Sequence, residues 1–152
     1  MPAESDVRTG PEPTLMYVMK QVELAVRARL DEIFRPIGMT ALQYTALTVL
    51  ERRPGLSSAQ LARNSFVTSQ TMADMVGALE QRGLLERYRD TRDRRRMVLA
   101  LTDKGHDLLG RYRTEVAALE EQMLSGLTAR QAAELRRSLG VCRANLSRHP
   151  PH

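Results

Sequence analysis

Arginine is concentrated in one short stretch of this sequence. Seven arginines and three acidic residues lie between Arg82 and Arg96, a local excess of four positive charges, whereas the whole chain of 152 residues carries a net charge of +5. A guanidinium group binds phosphate as a two-pronged donor and can enter a narrow minor groove. The stretch therefore predicts a surface for duplex DNA. A solvated hairpin that only resists aggregation is the alternative interpretation.

Most of these arginines lie at the tip of a predicted β-hairpin. Two apolar strand patterns, 84–88 and 97–101, enclose a segment that is too polar to be core. We expect one arginine beside Asp93 to pair with that carboxylate and hold the hairpin. The residues predicted to contact the DNA backbone or minor groove are Arg89, Arg92, Arg94, Arg95 and Arg96.

A helix with small polar residues at its start directly precedes the hairpin. Met72, Met75, Val76 and Leu79 recur at helical spacing, which leaves the opposite face polar. Hydroxyl and amide groups bind phosphates or base edges, and a helix N-terminus favours phosphate. The residues predicted to face DNA are Thr68, Ser69, Gln70, Ala73 and Asp74. A solvated polar face would show the same pattern.

The carboxylate of Asp74 is discordant in such a helix. It repels phosphate unless it meets a cytosine amine or a nearby arginine.

Caps, prolines and apolar periodicity place the remaining elements. A helix over 14–34 ends at Pro36 and Gly38, and capping boxes start helices at Thr40, Ser57 and Thr128. Asn64 and Ser65 are predicted to form a turn. The outer helices are too apolar on one face to stand alone in water, so they pack on each other or on a second subunit.

The predicted fold is mainly α: a winged helix-turn-helix with a two-stranded β wing and dimerisation helices at both ends. The predicted organisation is a disordered tail (1–12), an N-terminal dimerisation helix (13–36), the winged helix-turn-helix (39–102), C-terminal dimerisation helices (103–146) and a tail (147–152).

Several function classes are excluded by what the sequence contains. A single cysteine, Cys142, allows no intrachain disulfide, and we expect it to act as a small hydrophobe. Of the three histidines, two lie in the last four residues, and no metal-ligand spacing, phosphate loop or nucleophile motif is present. We therefore predict no enzyme activity, cofactor or metal. Neither a membrane span nor a signal peptide is recognisable, which predicts a cytoplasmic protein.

The hairpin sequence resembles that of the MarR family (multiple antibiotic resistance regulators). The matching residues are Leu84-Leu85-Glu86-Arg87, Asp90-Thr91-Arg92-Asp93-Arg94-Arg95, Val98, Leu101-Thr102, Gly105 and Leu108, and upstream Leu79-Glu80-Gln81-Arg82-Gly83. The family shows a similar Asp-x-Arg wing signature followed by Leu-Thr and Gly. Two positions depart from it: Thr91 stands where proline is frequent, and Asp74 where a basic residue is frequent.

This resemblance implies a homodimer built by the two chain ends, here 14–34 and 115–146. It also implies that the two winged domains bind successive major grooves of a pseudo-palindromic operator. By analogy with many members, the resemblance further implies a repressor that a small aromatic or phenolic ligand releases from the DNA. The alternative is a winged module that binds RNA or a protein partner, because fold alone does not determine function.

A ligand pocket is predicted where the first two helices meet the winged domain. Methionine and tyrosine suit flat apolar ligands, and a lysine can bind a carboxylate. The predicted lining residues are Met16, Tyr17, Met19, Lys20 and Tyr44. The same residues also fit a purely structural role in the core and the interface.

Overall fold

The computed structural model describes residues 10–65 and 67–147. They form α1 (Leu15–Phe34), a short 3-10 helix (Arg35–Ile37), α2 (Ala41–Arg52), α3 (Ser58–Ser65), α4 (Ser69–Gln81), β1 (Leu85–Arg89), β2 (Met97–Leu101), α5 (Asp103–Met123) and α6 (Ala129–Ser147). The chain divides into two compact units, residues 1–111 and 112–152. The predicted helix-turn-helix, formed by α3 and α4, and its two-stranded wing are confirmed.

The predicted capping boxes start their helices as expected. Thr40 Oγ1 accepts a hydrogen bond from the Gln43 amide at 3.1 Å, and Gln43 Oε1 accepts one from the Thr40 amide at 3.0 Å. Each pair satisfies two backbone donors that the first helical turn leaves open. Reciprocal bonds of the same kind occur in Ser57–Gln60 and Thr128–Gln131.

The predicted turn at residues 64 and 65 is wrong, because α3 continues to Ser65. The Asn64 side chain donates to the Gln60 carbonyl at 2.8 Å, a bond one helical turn back that keeps this polar residue in the helix. The first strand begins at Leu85, and α6 continues to Ser147. Most of the two predicted disordered tails, residues 1–9 and 148–152, lies outside the described residues.

One apolar core joins α2, α3, α4 and the wing in the first unit. Its largest fully buried side chains are Phe34, Leu47, Leu50, Leu61, Met72, Val76, Leu79, Leu84, Leu85, Val98 and Leu99. The Phe34 ring stacks on Tyr44, with centroids 4.4 Å apart, and so joins the end of α1 to α2. This core sets the position of α4 relative to the wing.

The wing is an antiparallel pair attached to the loop before α3. Leu85 pairs with Leu101 at its base, and Arg89 pairs with Met97 near its tip. Leu99 donates from its amide to the Leu56 carbonyl at 2.8 Å and accepts from the Gly55 amide at 3.0 Å. This short bridge adds a third segment beside β2.

Two glycines are required where α4, the wing and α5 meet. Gly83 ends α4 with a φ of +72°, a conformation that glycine adopts without steric cost. Gly105 lies so close to Leu84 that a Cβ would overlap the Leu84 carbonyl oxygen. The start of α5 is thereby held against the base of the wing.

The outer helices expose apolar side chains. In α1, Leu15 is 81% exposed and Met16 is 77% exposed. In the second unit, α5 and α6 are linked by an ion pair between Arg136 and Glu120 at 3.5 Å. The exposed apolar residues of that unit are Met123, Leu127, Leu135, Leu139, Val141 and Leu146. A single chain therefore leaves these apolar faces uncovered.

Candidate nucleic-acid interface

The N-terminal half of α4 presents a polar face above a buried apolar one. Thr68 caps the helix, its Oγ1 accepting from the Thr71 amide at 3.1 Å. Met72, Val76 and Leu79 are fully buried, and Met75 is half-buried. This inner face agrees with the periodicity of the sequence. The residues predicted to face DNA are all exposed: Thr68, Ser69, Gln70, Ala73 and Asp74.

Asp74 has a partner on its own helix. Gln70 donates from Nε2 to Asp74 Oδ1 at 3.2 Å, across one turn of α4. The bond leaves Gln70 Oε1, its second N–H and the other Asp74 oxygen available to a base edge. Together these two side chains form one hydrogen-bonding surface on the N-terminal half of the helix.

The wing arginines fall into two groups. The side chains of Arg92, Arg94 and Arg95 are exposed and have no hydrogen bond or ion pair within residues 10–65 and 67–147. Arg89 Nη1 donates to the Arg94 carbonyl at 2.9 Å and Arg96 also has protein partners. The first group is available to an external anion, whereas the second group is engaged in the structure of the hairpin.

The aspartates of the wing hold its tip through the backbone. Asp93 Oδ1 accepts from the Arg95 amide at 3.1 Å, and Asp90 Oδ1 accepts from the Arg92 amide at 3.0 Å. The prediction that Asp93 pairs with an arginine side chain is therefore wrong. Asp90 is the aspartate that faces a guanidinium, with its Oδ2 4.0 Å from Nη1 of Arg96.

Two arginines of the cluster bind other parts of the protein and connect α4 to its neighbours. Arg87 pairs with Glu80 at 3.1 Å and links β1 to α4. Arg82 donates to the Ile37 carbonyl at 2.6 Å and the Gly38 carbonyl at 3.3 Å, which ties the end of α4 to the segment after α1. Sequence reasoning missed both roles, because the partner carbonyls of Arg82 lie about 45 residues away and carry no side-chain signal.

A cleft of about 680 Å³ lies between α1, α2 and the end of α3. Its lining residues are Lys20, Glu23, Val26, Arg27, Leu30, Ala41, Leu42, Thr45, Ser65 and Val67. Of the five residues predicted to bind a ligand, Lys20 lines the cleft. Met16, Tyr17 and Met19 are exposed on α1, and Tyr44 stacks on Phe34.

One polar group in this cleft has no partner. Ser65 Oγ is buried and makes no hydrogen bond within the described part of the chain. Both cations of the cleft are paired with Glu23: Lys20 at 3.7 Å, and Arg27 through a close ion pair. A buried hydroxyl without a partner carries a desolvation cost that a bound polar group would remove.

The other candidate reactive residues are dispersed. Cys142 is exposed on α6 in the single chain, where we expected an apolar environment. Over the described residues, no three His, Cys, Asp or Glu side chains are grouped to hold a metal ion. No helix in this part of the chain is long and apolar enough to cross a bilayer.

Comparison with known proteins identifies the family. Residues 37–96 match the model of the MarR family. The chain is also 34% identical over 125 residues to an HTH-type transcriptional repressor of Mycobacterium tuberculosis, across 82% of this chain and 90% of that protein. The chain belongs to the MarR family. The MarR resemblance of the wing sequence is thereby confirmed.

Solved MarR-like structures match the fold along most of the chain. The transcriptional repressor CouR, solved on a 23-mer DNA duplex, is 31% identical with a TM-score of 0.70 over 86% of this chain and 92% of that one. PcaV of Streptomyces coelicolor, solved with its natural ligand, is 26% identical with a TM-score of 0.68 over 93% and 97% of the two chains. The winged helix-turn-helix of this MarR-family chain thus has close structural counterparts.

Proposed function

We propose that this chain is a sequence-specific DNA-binding repressor that acts as a homodimer. The observation that carries the proposal is the joint exposure of two surfaces within one compact unit. These are the polar face of α4 and the three wing arginines whose side chains have no partner among the described residues. A helix of this kind fits a major groove, and arginines beside it bind the backbone or the minor groove.

The two surfaces have different parts in recognition. Hydroxyl and amide groups at the start of α4, above all Gln70, read base edges in the major groove. Arg92, Arg94 and Arg95 neutralise phosphates or enter the minor groove, which increases affinity without reading sequence. The family relation to a repressor, and the CouR structure on duplex DNA, support this assignment.

A second copy of the chain covers the exposed apolar faces in this proposal. Leu15, Met16 and Leu146 are each more than three-quarters exposed in the single chain, and they belong to the terminal helices. Apolar faces of this extent mark an interface in a water-soluble protein. A two-fold dimer places its two α4 helices one helical turn apart, about 34 Å, on a pseudo-palindromic operator.

A small aromatic or phenolic acid is the proposed releasing ligand. Its acid group would bind Lys20 or Arg27, and a hydroxyl or carboxyl oxygen would bind Ser65 Oγ in the cleft. Ser65 ends α3, and Val67, which also lines the cleft, directly precedes the Thr68 cap of α4, so a ligand there contacts residues at the entry to the recognition helix. A ligand that binds the DNA-free arrangement of this cleft more tightly than the DNA-bound one shifts the population away from the DNA-bound state.

The test is binding of purified protein to duplexes tiling its own upstream region, with random duplex as competitor, at two salt concentrations. Tight, salt-sensitive binding to one palindromic segment is the expected result. Binding no better than to random DNA on this and on genome-wide duplex pools would contradict the proposal. A preference for RNA of equal length at equal salt would favour the alternative winged-module role.

A further inference from the structure

Arg96 differs from the other arginines of the wing tip. Its guanidinium donates from Nη2 to Gln60 Oε1 on α3, a residue 36 positions earlier in the chain, and faces Asp90 of the wing at 4.0 Å. The side chain of Arg96 is 37% exposed and is therefore partly buried, whereas Arg94 and Arg95 are exposed. Arg96 therefore points back to the helix-turn-helix.

Gln60 uses the same oxygen for a second purpose. Gln60 Oε1 accepts from the Ser57 amide at 3.0 Å, and the Gln60 amide donates to Ser57 Oγ at 3.2 Å, the capping box that starts α3. The cap holds the amide group in one orientation, so the acceptor offered to Arg96 is already in place. A charge-assisted bond to a preorganised acceptor retains more of its strength than one between two mobile side chains.

The wing is thereby attached to the helix-turn-helix at two levels. The first is at the level of Leu99, through its backbone bonds with Gly55 and Leu56 and through the ion pair that its strand partner Arg87 makes with Glu80 of α4. The second lies three residues closer to the tip, at Arg96. A hairpin held at one level can pivot about it, whereas a second attachment fixes the direction in which the tip points. The backbone of Arg96 also closes the tip, its carbonyl accepting from the Asp90 amide at 2.9 Å.

From this geometry we propose that Arg96 is a positioning residue for DNA binding. It fixes the angle of the wing against α3 through Gln60, so that Arg92, Arg94 and Arg95 meet the DNA together with α4. This role replaces the direct contact to DNA that the sequence predicts for Arg96, and it rests on the proposed DNA-binding function.

Variants of Arg96 and Arg94 separate positioning from contact. Arg96→Ala should weaken operator binding about tenfold, because the freed wing must be ordered on the DNA. The slope of log affinity against log salt should stay unchanged, because Arg96 itself contacts no phosphate and Arg92, Arg94 and Arg95 still reach theirs once the wing is ordered. Arg94→Ala should flatten that slope by about one. Arg96→Lys should not restore binding, since an ammonium group cannot reproduce the fork between Gln60 and Asp90.

Gln60 provides an independent test with a matched control. Gln60→Ala should weaken binding about as much as Arg96→Ala, and the double variant should lose no more than either single one. Gln43→Ala removes the equivalent cap of α2, whose amide has no hydrogen bond to an arginine in the described part of the chain. It should lower the melting temperature but leave affinity unchanged when binding is measured well below that temperature.

Amide exchange in the free protein tests the inference without DNA. In Arg96→Ala, the amides of Asp90 and Leu99 should exchange about tenfold faster than in Arg94→Ala, because the wing has lost an attachment. An unchanged exchange rate, or a salt slope that falls as in Arg94→Ala, would overturn the inference. If no duplex is bound, the proposed function fails, and amide exchange alone still decides whether Arg96 holds the wing.

Discussion

Gln70 and Asp74 share a hydrogen bond on the exposed face of α4, from Nε2 to Oδ1 at 3.2 Å. The pair gives the discordant carboxylate of α4 a partner, and in the proposed function both side chains belong to the surface that reads bases. A carboxylate accepts from the amino group of cytosine, and a glutamine can bind adenine with two hydrogen bonds. In the proposed complex, specificity depends on both side chains, and the arginines of the wing contribute affinity.

Asp74→Asn tests the carboxylate. The change keeps the shape of the side chain but removes a negative charge that repels the DNA backbone. Affinity for random duplex should rise several-fold, while the ratio of operator to random binding should fall. Competition titrations with both duplexes measure this ratio. An equal rise in affinity for both duplexes would mean that Asp74 only repels the DNA backbone and reads no base.

Gln70→Ala should act mainly on the preferred site. Loss of base contacts is expected to cost about 1–3 kcal/mol of binding free energy on the operator and little on random duplex. Ser69→Ala, one residue earlier on the helix, serves as a comparison for a contact to phosphate. Equal losses on operator and random DNA would sink the assignment of Gln70 to base reading.

Arg94→Ala should weaken binding to all sequences alike. Removal of one phosphate contact reduces the number of counterions released, so the salt slope should flatten by about one. Arg130→Ala is the matched control, since Arg130 is an exposed arginine on α6 that pairs with Glu134. Titrations across a salt series compare the two variants. A steeper loss on the operator alone would argue for base reading by Arg94.

Gly105→Ala should destabilise the protein. The new methyl group would overlap the Leu84 carbonyl oxygen and push α5 away from the wing, at a cost of about 1–3 kcal/mol. Gly110→Ala in the same helix has open space around the added carbon and should raise stability by about 0.5–1 kcal/mol. Denaturant unfolding at one protein concentration measures both. Equal effects of the two substitutions would contradict the close approach at Gly105.

Salicylate-like acids should release the protein from its operator if the cleft is the ligand site. Ser65→Ala should weaken the response without changing operator affinity in the absence of ligand, because Ser65 Oγ has no partner in the described protein. Tyr17→Phe tests the ligand contact that the sequence predicts for this residue, and it should leave the response unchanged, because Tyr17 is exposed on α1 and is not among the residues that line the cleft. No release at millimolar ligand would count heavily against the cleft.

Local features of this chain could be read from the sequence. The capping boxes at Thr40, Ser57 and Thr128 depend on residues three apart, so their hydrogen bonds follow from short-range spacing. The buried face of α4 follows in the same way from helical periodicity. The error at Asn64 has a local cause too: the polar residues that suggest a turn also tolerate a helix when their side chains bond back.

What the sequence determined by itself is the family, the order of the elements and the concentration of arginine in the wing. Only the tertiary structure decided which of those arginines remain available. Arg82 reaches the carbonyl of Ile37, and Arg96 reaches Gln60, across separations of 45 and 36 residues. Such contacts depend on how the core turns α3, α4 and the wing against one another. Identical residue types in one charged run therefore acquire different partners, and no spacing rule distinguishes them.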